Sequence, residues 1–536
     1  MARTPLLSRV QQLFEDFSHA EATGTSVADV QAARGERRSR RDFLKAGAVT
    51  AAGALAWSAR PLAAPAPRIA ILGGGIAGLN AALTLQDRGY FSTIYEASPR
   101  VGGRMHSDTT SWLNGQVSEH CGELIDSGHA TILDLAGRFH IAVADLQAAQ
   151  AKKATDTFYF SGHYYTQDQA NTDFAPVFRA VKADAKAAPF PTLYNRYTPE
   201  GFALDSMSIY DWIESRVPGG HNSPMGQLLD VAYNIEYGAE TNLQSSLNLI
   251  YLLAFQPSRG EFHEFGESDE RYHLVGGNER LPAAIAAALS SSSIKLNTAL
   301  TRIERLANGA YELRFRGPSG NQTVVADRVI MAIPFSILRN LDYSSAGFSA
   351  TKTNSIEQLG YGTNAKLHLQ FDDRMWQEPG PWGKSTGSTY ADTGYQSTWE
   401  VSRAQNGATG ILVDYSGGDF GASFTGDRRN PNVVDAYARR FLAQLEPVFP
   451  GITPKWNGRA TLDTPATNPY LLGSYSFFKV GQYTFFGGSE GERSNKCHFA
   501  GEHCSTDFQG FMEGAAAEGA RAANEILEDY ANGITT

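Results

Sequence analysis

The chain has 536 residues, a formal net charge of −10 at pH 7, and 42% apolar and 19% charged residues. This composition is typical of a globular protein, and the length is sufficient for two substantial domains. Beyond residues 1–66 there is no basic block, which argues against nucleic acid or an anionic surface as a partner. No apolar run reaches the roughly 18 residues that a membrane-spanning helix needs. The cysteines, Cys121, Cys497 and Cys504, are too few for a disulfide framework and show no metal-ligand spacing.

Residues 1–66 are predicted to be a targeting segment rather than part of the fold. The run Ser39–Lys45 matches the twin-arginine export signal at every defined position, and a weakly apolar stretch, Ala46–Trp57, follows it. Ala63–Ala66 then offers residues small enough for a signal peptidase. We therefore expect export by the twin-arginine machinery to the periplasm or the medium. A chance basic patch before an alanine-rich helix is the alternative.

Three glycines follow the first predicted strand, Ile69–Leu72, at the spacing G-x-G-x-x-G. They are Gly73, Gly75 and Gly78. A tight turn needs the first, close approach of the backbone to a pyrophosphate needs the second, and packing of helix on strand needs the third. Ala77 keeps the helix slim where it meets the sheet. The N–H groups at the helix start then favour a negative charge, which predicts a dinucleotide site. A glycine turn in an ordinary α/β domain is the alternative.

An acid and a second pair of glycines complete this stretch. Glu96 ends the predicted strand Thr93–Tyr95, 23 residues after Gly73, where its carboxylate can accept both ribose hydroxyls. The run Arg100–Arg104 holds two glycines between two arginines. It offers a second close backbone approach and two cations to a pyrophosphate. A nicotinamide cofactor does not require this second clamp.

The stretch from Arg68 to Arg104 resembles the flavin-containing amine oxidase family, which includes monoamine, polyamine and L-amino acid oxidases. The resemblance covers about residues 67–530 and implies FAD as the cofactor. The implied fold is α/β (α+β, two domains), with a Rossmann-like FAD-binding domain and an inserted mixed substrate-binding domain, the GR2-type architecture. The implied FAD-binding segments are 67–148, 269–344 and 458–530, and the implied substrate-domain segments are 149–268 and 345–457.

The resemblance also implies contacts to the cofactor along the chain. Gly122 packs against the isoalloxazine ring, and backbone groups of Leu300, at the end of a predicted strand Ile294–Leu300, hold the adenine. Glu502 reaches a ribityl hydroxyl or a water on the phosphate side. The full predicted set is Gly73, Gly75, Ala77, Gly78, Glu96, Ala97, Arg104, Gly122, Glu123, Leu300, Glu502, Gly510, Phe511 and Met512.

Three residues carry the chemistry that the resemblance implies. Lys366, on a predicted strand, matches the family lysine that binds a water at flavin N5, and a plain strand lysine is the alternative. Tyr475 and Phe511 match two rings that flank the substrate amine. The helix that opens at Gly510 stabilises charge on the reduced flavin. Ser474 stands where mammalian monoamine oxidases carry the cysteine that bonds the flavin, so the FAD is expected to be noncovalent.

These features predict oxidation of a primary or secondary amine to an imine and aldehyde, with O2 reduced to H2O2. Met105–Gly137 contains no arginine or lysine, which favours an amine without a carboxylate. Glu123 and Glu490 are candidates to hold a distal cation near the presumed pocket mouth, and a solvated or structural acid is the alternative at each position. One alternative is an L-amino acid oxidase, or an enzyme like tryptophan 2-monooxygenase, with a different carboxylate clamp. Another is an exported flavoprotein without catalysis. No metal site is expected, and a homodimer stays open.

Overall fold

The computed structural model of the protein describes residues 67–255, 262–266, 268–290 and 293–534. The predicted leader, residues 1–66, lies outside them. Among the described residues the helices are α1 (Ile76–Gln86), α2 (Ala130–Arg138), α3 (Gln167–Ala187), α4 (Pro199–Asp205), α5 (Ile209–Arg216), α6 (Pro224–Tyr237), α7 (Ser246–Leu253), α8 (Arg280–Ala288), α9 (Phe335–Leu338), α10 (Ala350–Gln358), α11 (Gly418–Ala422), α12 (Pro431–Leu445), α13 (Gln482–Phe485) and α14 (Met512–Ala531). Within these ranges every helix is too short or too polar to cross a lipid bilayer.

The strands fall into several sheets. They are β1 (Ile69–Leu72), β2 (Ser92–Tyr95), β3 (Ser107–Asp108), β4 (Ser118–Glu119), β5 (Val143–Asp145), β6 (Thr155–Phe160), β7 (His163–Tyr165), β8 (Tyr272–Leu274), β9 (Ile294–Lys295), β10 (Ala299–Arg305), β11 (Tyr311–Gly317), β12 (Gly320–Ala326), β13 (Arg328–Met331), β14 (Asp342–Ser345), β15 (Gly360–Tyr361), β16 (Ala365–Phe371), β17 (Ser385–Ala391), β18 (Ser397–Glu400), β19 (Gly410–Ser416), β20 (Trp456–Asp463), β21 (Ser476–Phe477) and β22 (Cys497–Phe499).

A five-stranded parallel sheet forms the first layer, in the order β22-β13-β1-β2-β9. All four residues of β1 are buried, because residues on both faces of the sheet pack in apolar clusters. Helix α14 packs against α1 so closely that a Cβ on Gly519 would lie 2.1 Å from the carbonyl oxygen of Ala77. Glycine and alanine at this crossing therefore allow α14 to lie directly on α1.

One predicted strand is wrong. The sequence predicts a single strand over Ile294–Leu300, but the structure divides it into β9, in the parallel sheet, and β10, in a four-stranded sheet ordered β12-β11-β10-β14. The break falls at Asn297, whose φ of 52° lies in the left-handed region that asparagine tolerates. The N–H of Thr298 then donates to the carbonyl oxygen of Glu96 (2.8 Å). The apolar pattern does not reveal such a change of sheet.

A seven-stranded sheet, in the order β20-β16-β19-β18-β17-β6-β7, forms the second large layer. Its pairs are antiparallel except for β17 with β6. Every residue of β16 is buried, so its polar side chains must find partners inside the protein. A helix-flanked parallel sheet with a mixed second sheet confirms the predicted α/β, α+β class. The predicted segment boundaries stay a prediction.

Candidate functional site

Two glycine loops meet at the carboxyl end of β1. A Cβ on Gly73, whose φ is 108°, would lie 2.5 Å from the carbonyl oxygen of Ala332, so the turn requires glycine. The N–H of Gly102 donates to the carbonyl oxygen of Gly74 (2.9 Å), which places the second loop directly on the first. A Cβ on Gly75 would meet no described atom within 4 Å beyond its chain neighbours. The backbone here faces open space, as the approach of a pyrophosphate requires.

Helix α1 begins at the same place and completes this cradle. Its N-cap residue is Gly75, which has no side chain that could cap the helix. The first N–H groups of α1 are therefore available to an anion. A Cβ on Gly78 would lie 2.0 Å from the carbonyl oxygen of Gly73, so the third glycine allows helix and turn to touch. Ala77 is buried in the crossing with α14. These residues fit the pyrophosphate of FAD.

Glu96 lies beside the cradle at the end of β2. One carboxylate oxygen accepts the N–H of Gly74 (2.7 Å) and the other accepts the N–H of Ser98 (2.8 Å). A carboxylate offers about four acceptor positions, so Glu96 keeps capacity for the ribose hydroxyls. Leu300 lies in β10, where it pairs with Phe315 of β11. Its contact with the adenine stays a prediction.

The two arginines of the second loop are tied to protein carbonyls. Arg100 donates to the carbonyl oxygens of Val101 (3.0 Å) and Gly103 (2.6 Å), and so braces the glycine pair from within. Arg104 donates to the carbonyl oxygen of Ser474 (2.8 Å) and to Glu502 (2.9 Å). Both cations therefore hold the loops in place, and Arg104 joins the first part of the chain to the last.

Glu502 organises the start of α14. Its carboxylate accepts the hydroxyl of Ser476 (2.7 Å) and the N–H of Gly510 (3.0 Å), in addition to Arg104. Burial alone would raise the pKa of Glu502, but the charge of Arg104 and these hydrogen bonds bring the pKa below its ordinary value. The acid is therefore ionised. Beyond it, Met512 opens α14, and its side chain lies 3.1 Å from the position of a Cβ on Gly122.

Lys366 and Glu123 form a buried ion pair. Lys366 Nζ lies 2.7 Å from Glu123 Oε2 and 3.3 Å from the carbonyl oxygen of Glu119. The other oxygen, Glu123 Oε1, accepts the indole N–H of Trp399 (2.9 Å). Burial would raise the pKa of Glu123, but the charge and hydrogen bond of Lys366 lower it to about 2. Glu123 was predicted to hold a distal substrate cation, yet both of its oxygens already have protein partners.

An aromatic wall extends from this pair to Tyr475. Trp399 packs on Tyr415 with 4.8 Å between ring centroids. The hydroxyl of Tyr475 donates to the carbonyl oxygen of Ile235 (3.0 Å) and lies 2.7 Å from the hydroxyl of Tyr415. Sequence reasoning missed Trp399 and Tyr415. They meet because β18 and β19 are neighbours in the sheet and Tyr415 pairs directly with Lys366.

The second predicted ring, Phe511, lies at the other side of the helix start. It is the N-cap residue of α14 and packs edge-on against His129, with 5.1 Å between ring centroids. The preceding residue, Gly510, lies against Tyr475, since a Cβ there would be 3.8 Å from that ring. The structure therefore brings Tyr475 and Phe511 to the same helix terminus. Their action as a pair around the substrate stays a prediction.

Glu490 differs from its expected position. It was predicted near a pocket mouth, but it is only 2% exposed and its carboxylate accepts the N–H of Gly488 (2.7 Å). Its carbonyl oxygen accepts Lys352 Nζ (2.6 Å), and that ammonium lies 3.9 Å from the ring centroid of Phe499 in β22. Burial raises the pKa of Glu490 to about 7. The residue belongs to the packing beside the parallel sheet.

Two other acids influence the pKa values of the tyrosines in the aromatic wall. Burial, and then negative charges that include Glu236 and Glu270, raise the pKa values of Tyr415 and Tyr475. Burial and the charge of Asp126 raise the pKa of Glu236 itself to about 8. Glu236 lies in α6 and Glu270 in the loop before β8, so no sequence spacing links them. Only the fold brings them to Tyr475.

Comparison with known proteins places this site in a family. The family of flavin containing amine oxidoreductases matches residues 76–527, and the twin-arginine translocation pathway signal sequence matches residues 39–57. Polyamine oxidase 4 of Oryza sativa subsp. japonica is 23% identical over 491 residues, covering 87% of this chain and 89% of that protein. An L-amino acid dehydrogenase of Synechocystis sp. is 26% identical over 482 residues, covering 85% and 94%. The solved structure of cyclohexylamine oxidase from Brevibacterium oxydans superposes with a TM-score of 0.73 at 19% identity, covering 87% of this chain and 100% of that one.

These matches settle the predictions that concern export, fold and cofactor. The signal match confirms export by the twin-arginine route, to the periplasm or beyond. The structural match, together with the family match, confirms the predicted two-domain α/β amine oxidase fold. The family match runs from the start of α1 into α14, and so includes Gly78, the second glycine loop, Lys366 and the helix start beside Tyr475. The chain belongs to the flavin-containing amine oxidoreductases, and it is an FAD-dependent enzyme that oxidises amines.

Proposed function

We propose that the protein oxidises a cationic amine that carries no carboxylate, with diamines and polyamines as the favoured class. In the proposed reaction the amine, O2 and water give an aldehyde, ammonia and H2O2. When bound, FAD supplies the acceptor for the hydride equivalent that leaves the carbon beside the amine nitrogen. The chain's own residues bind the substrate, orient it and exclude water.

The observation that carries this proposal is the pair of buried acids, Glu236 and Glu270, that act on both Tyr415 and Tyr475. Burial raises the pKa of each acid, so each favours its neutral form until a cation binds beside it, and a substrate carboxylate offers no such counter-charge. A substrate cation beside Glu236 would lower the pKa of that acid from about 8 and favour its ionised form. Binding of a second ammonium group and ionisation of Glu236 would then support each other.

The other side chains have roles that follow from their contacts. Tyr475, held by Tyr415 and Ile235, presents a fixed ring beside the start of α14, where Phe511 supplies a second ring. Two such rings would exclude water and align the substrate. Lys366 is proposed to hold a water near the flavin.

FAD is proposed to be noncovalent. Ser474 offers a hydroxyl where a cysteine would be needed for a thioether, and that hydroxyl donates to Asn364 Oδ1 (2.6 Å). Acid precipitation should release the yellow flavin into the supernatant. Flavin retained in the pellet would contradict this attachment.

Substrate class is tested by peroxide release across monoamines, diamines, polyamines and all L-amino acids. We expect the lowest KM values for diamines or polyamines. Glu236→Gln should raise KM for the diamine about tenfold or more and leave KM for a monoamine of similar length unchanged. Glu490→Gln is the matched control, because Glu490 is also a buried acid with a raised pKa but lies beside Lys352. Flavin reduction by amines without peroxide formation would show a different electron acceptor.

Oxidation of an L-amino acid is the second candidate, and Arg403 favours it. This buried arginine donates from Nε to the carbonyl oxygen of Glu400 (2.9 Å), and no carboxylate among the described residues lies within ion-pair distance of its guanidinium. Its charge acts on Glu270, so it is near the same acids. If the substrate is an amino acid, Arg403→Gln should abolish turnover while Glu236→Gln has little effect. Diamine turnover that persists in Arg403→Gln would reject this candidate.

A further inference from the structure

The loop after β4 brings one carboxylate between two strands of the seven-stranded sheet. Glu123 Oε2 lies 2.7 Å from Nζ of Lys366, in β16, and Glu123 Oε1 accepts the indole N–H of Trp399, in β18, at 2.9 Å. The Lys366 and Glu123 side chains are only 7% and 6% exposed. One carboxylate therefore ties three distant parts of the chain together.

The backbone of Glu123 is itself anchored. Asn278 Nδ2 donates to the carbonyl oxygens of Glu123 (2.7 Å) and Gly122 (3.1 Å). The N–H of Asn278 donates to Glu119 Oε1 (2.8 Å), which holds the start of the same loop. The carboxylate of Glu123 thus projects from a fixed position, as a residue that orients others must.

These contacts determine what Lys366 can do. An ammonium has three N–H donors, and two of them point to Glu123 and to the carbonyl oxygen of Glu119. The third has no partner among the residues that the structure describes. The ammonium also lies 5.3 Å from the ring centroid of Trp399, within range of a cation–π interaction. Lys366 is therefore oriented with one donor left for a water or a ligand.

The same carboxylate also orients the aromatic wall. Its hydrogen bond fixes the indole of Trp399, and the ring of Tyr415 packs on that indole. The hydroxyl of Tyr415 lies 2.7 Å from that of Tyr475. A rotation of Trp399 would therefore move Tyr415 and, through the contact between the two hydroxyls, change the position of Tyr475.

We propose that Glu123 is a positioning residue: by binding Lys366 and Trp399 at once, its carboxylate holds the lysine and the aromatic wall in one arrangement beside the flavin site. This inference rests on the proposed function, which assigns Lys366 and Tyr475 to amine oxidation. A purely structural ion pair is the alternative, and it predicts that replacing Glu123 changes stability alone.

The chain offers a matched control in Glu400. This acid is also buried, accepts the indole N–H of Trp376 (2.8 Å) and lies 2.7 Å from Nε of Arg374. It therefore repeats the carboxylate–indole–cation arrangement, and because side chains alternate along a strand, it does so on the face of β18 opposite to Trp399. The stability and activity of Glu400→Gln therefore show what breaking such a cluster costs when the contacts of Lys366 are unchanged.

The first measurement follows the protonation of Lys366 in purified, FAD-loaded protein. Competitive labelling with acetic anhydride across a pH series, read by mass spectrometry, reports the fraction of neutral amine. Glu123→Gln should increase labelling of Lys366 at pH 8 by about fivefold or more, because the ammonium loses its counter-charge. Lys352, bound to the carbonyl oxygens of Ser489 and Glu490, is the internal control and should not change.

The second measurement is rapid mixing, which gives the rates of flavin reduction and reoxidation. Glu123→Gln should slow these rates about tenfold to a hundredfold, move the pH profile, and change KM less than about threefold. Glu123→Asp keeps the charge but is one methylene shorter, so it should restore the labelling of Lys366 without restoring the rate. Glu400→Gln should keep both rate and pH profile.

Equal rates, pH profiles and Lys366 labelling in Glu123→Gln and Glu400→Gln would overturn the proposal. If Glu123→Gln does not fold, Glu123→Asp decides by the same readouts, and normal rates in that variant would reject positioning. If no amine reduces the wild-type flavin, the proposed function fails. The labelling of Lys366 then still tests whether Glu123 controls that lysine.

Discussion

The glycine cradle at the end of β1 and the aromatic wall around Tyr475 are built from different chemistry. In the cradle the site is made of backbone amides and of glycines without side chains, as at Gly75, where an added Cβ would meet no other described atom within 4 Å beyond its chain neighbours. The wall is made instead of side chains from distant parts of the chain, and it includes the ion pair between Glu123 and Lys366. A site made of backbone depends on conformation, whereas one made of buried charges depends on protonation and on each partner. The two regions should therefore respond to different perturbations.

The largest effect is expected in the cradle from Gly78→Ala. The new Cβ would lie 2.0 Å from the carbonyl oxygen of Gly73, which is backbone and cannot rotate away. We expect loss of FAD and of most folded protein, measured as the yellow chromophore per mole of purified protein. Gly137→Ala is the control, because a Cβ there meets nothing within 4 Å. A yellow, stable Gly78→Ala protein would show that the cradle tolerates a side chain.

The next effect is expected in the wall from Lys366→Met. Flavin reoxidation should slow by about a hundredfold or more if the lysine orients a water, with FAD still bound. The unpaired charge of Glu123 should also lower the free energy of unfolding by roughly 3–5 kcal/mol. Adding Glu123→Gln to this variant should recover stability but not rate, as followed by melting curves and rapid mixing. A wild-type rate of flavin reoxidation in Lys366→Met would mean that Lys366 is a plain strand lysine.

A smaller effect is expected from truncating the rings. Tyr475→Ala should lower the rate of flavin reduction, on the order of a hundredfold, more than it weakens substrate binding, since alignment matters most in the transition state. Phe511→Ala should act similarly and also loosen FAD. If the rings are only core packing, each variant loses roughly 3–5 kcal/mol of stability and keeps its turnover. Stopped-flow reduction and a melting curve on both variants separate these outcomes.

The smallest effect is a pH dependence of stability in the wall, which comes from Glu123. The pKa of Glu123 is about 2 in the folded protein, below its ordinary value of 4.5. Its contribution, roughly 3 kcal/mol, is present above about pH 4.5 and is lost as the pH falls through about 2. The stability difference between wild type and Glu123→Gln should therefore shrink on acidification, as measured by urea unfolding between pH 7 and 3. A constant difference would mean that Glu123 does not ionise with a lowered pKa.

The cradle could be predicted almost completely from the sequence. Its strand, glycines, helix and acid lie within Ile69–Glu96, and their spacing reflects contacts between neighbours in the chain. The same holds for the start of α14 at Met512. The prediction of one strand over Ile294–Leu300 was wrong because the two halves of this segment belong to different sheets. A short apolar pattern does not show which sheet a strand joins.

The wall could be predicted only in part. Lys366 and Tyr475 were identified through the resemblance, but their partners were not. Glu123 was assigned to a substrate cation because an acid near a pocket is all that the sequence shows. Glu490 was placed at the pocket mouth for the same reason, and it lies buried beside Lys352 instead.

The sequence by itself therefore determined the export signal, the nucleotide cradle and the family, since each depends on short-range spacing. The tertiary structure alone decided the pairing of Glu123 with Lys366, which are 243 positions apart, and of Tyr415 with Tyr475, which are 60 apart. It also brought Glu236 and Glu270 to the aromatic wall. The physical reason is that side-chain neighbours across a sheet depend on strand order and register, and these follow from how the whole core packs.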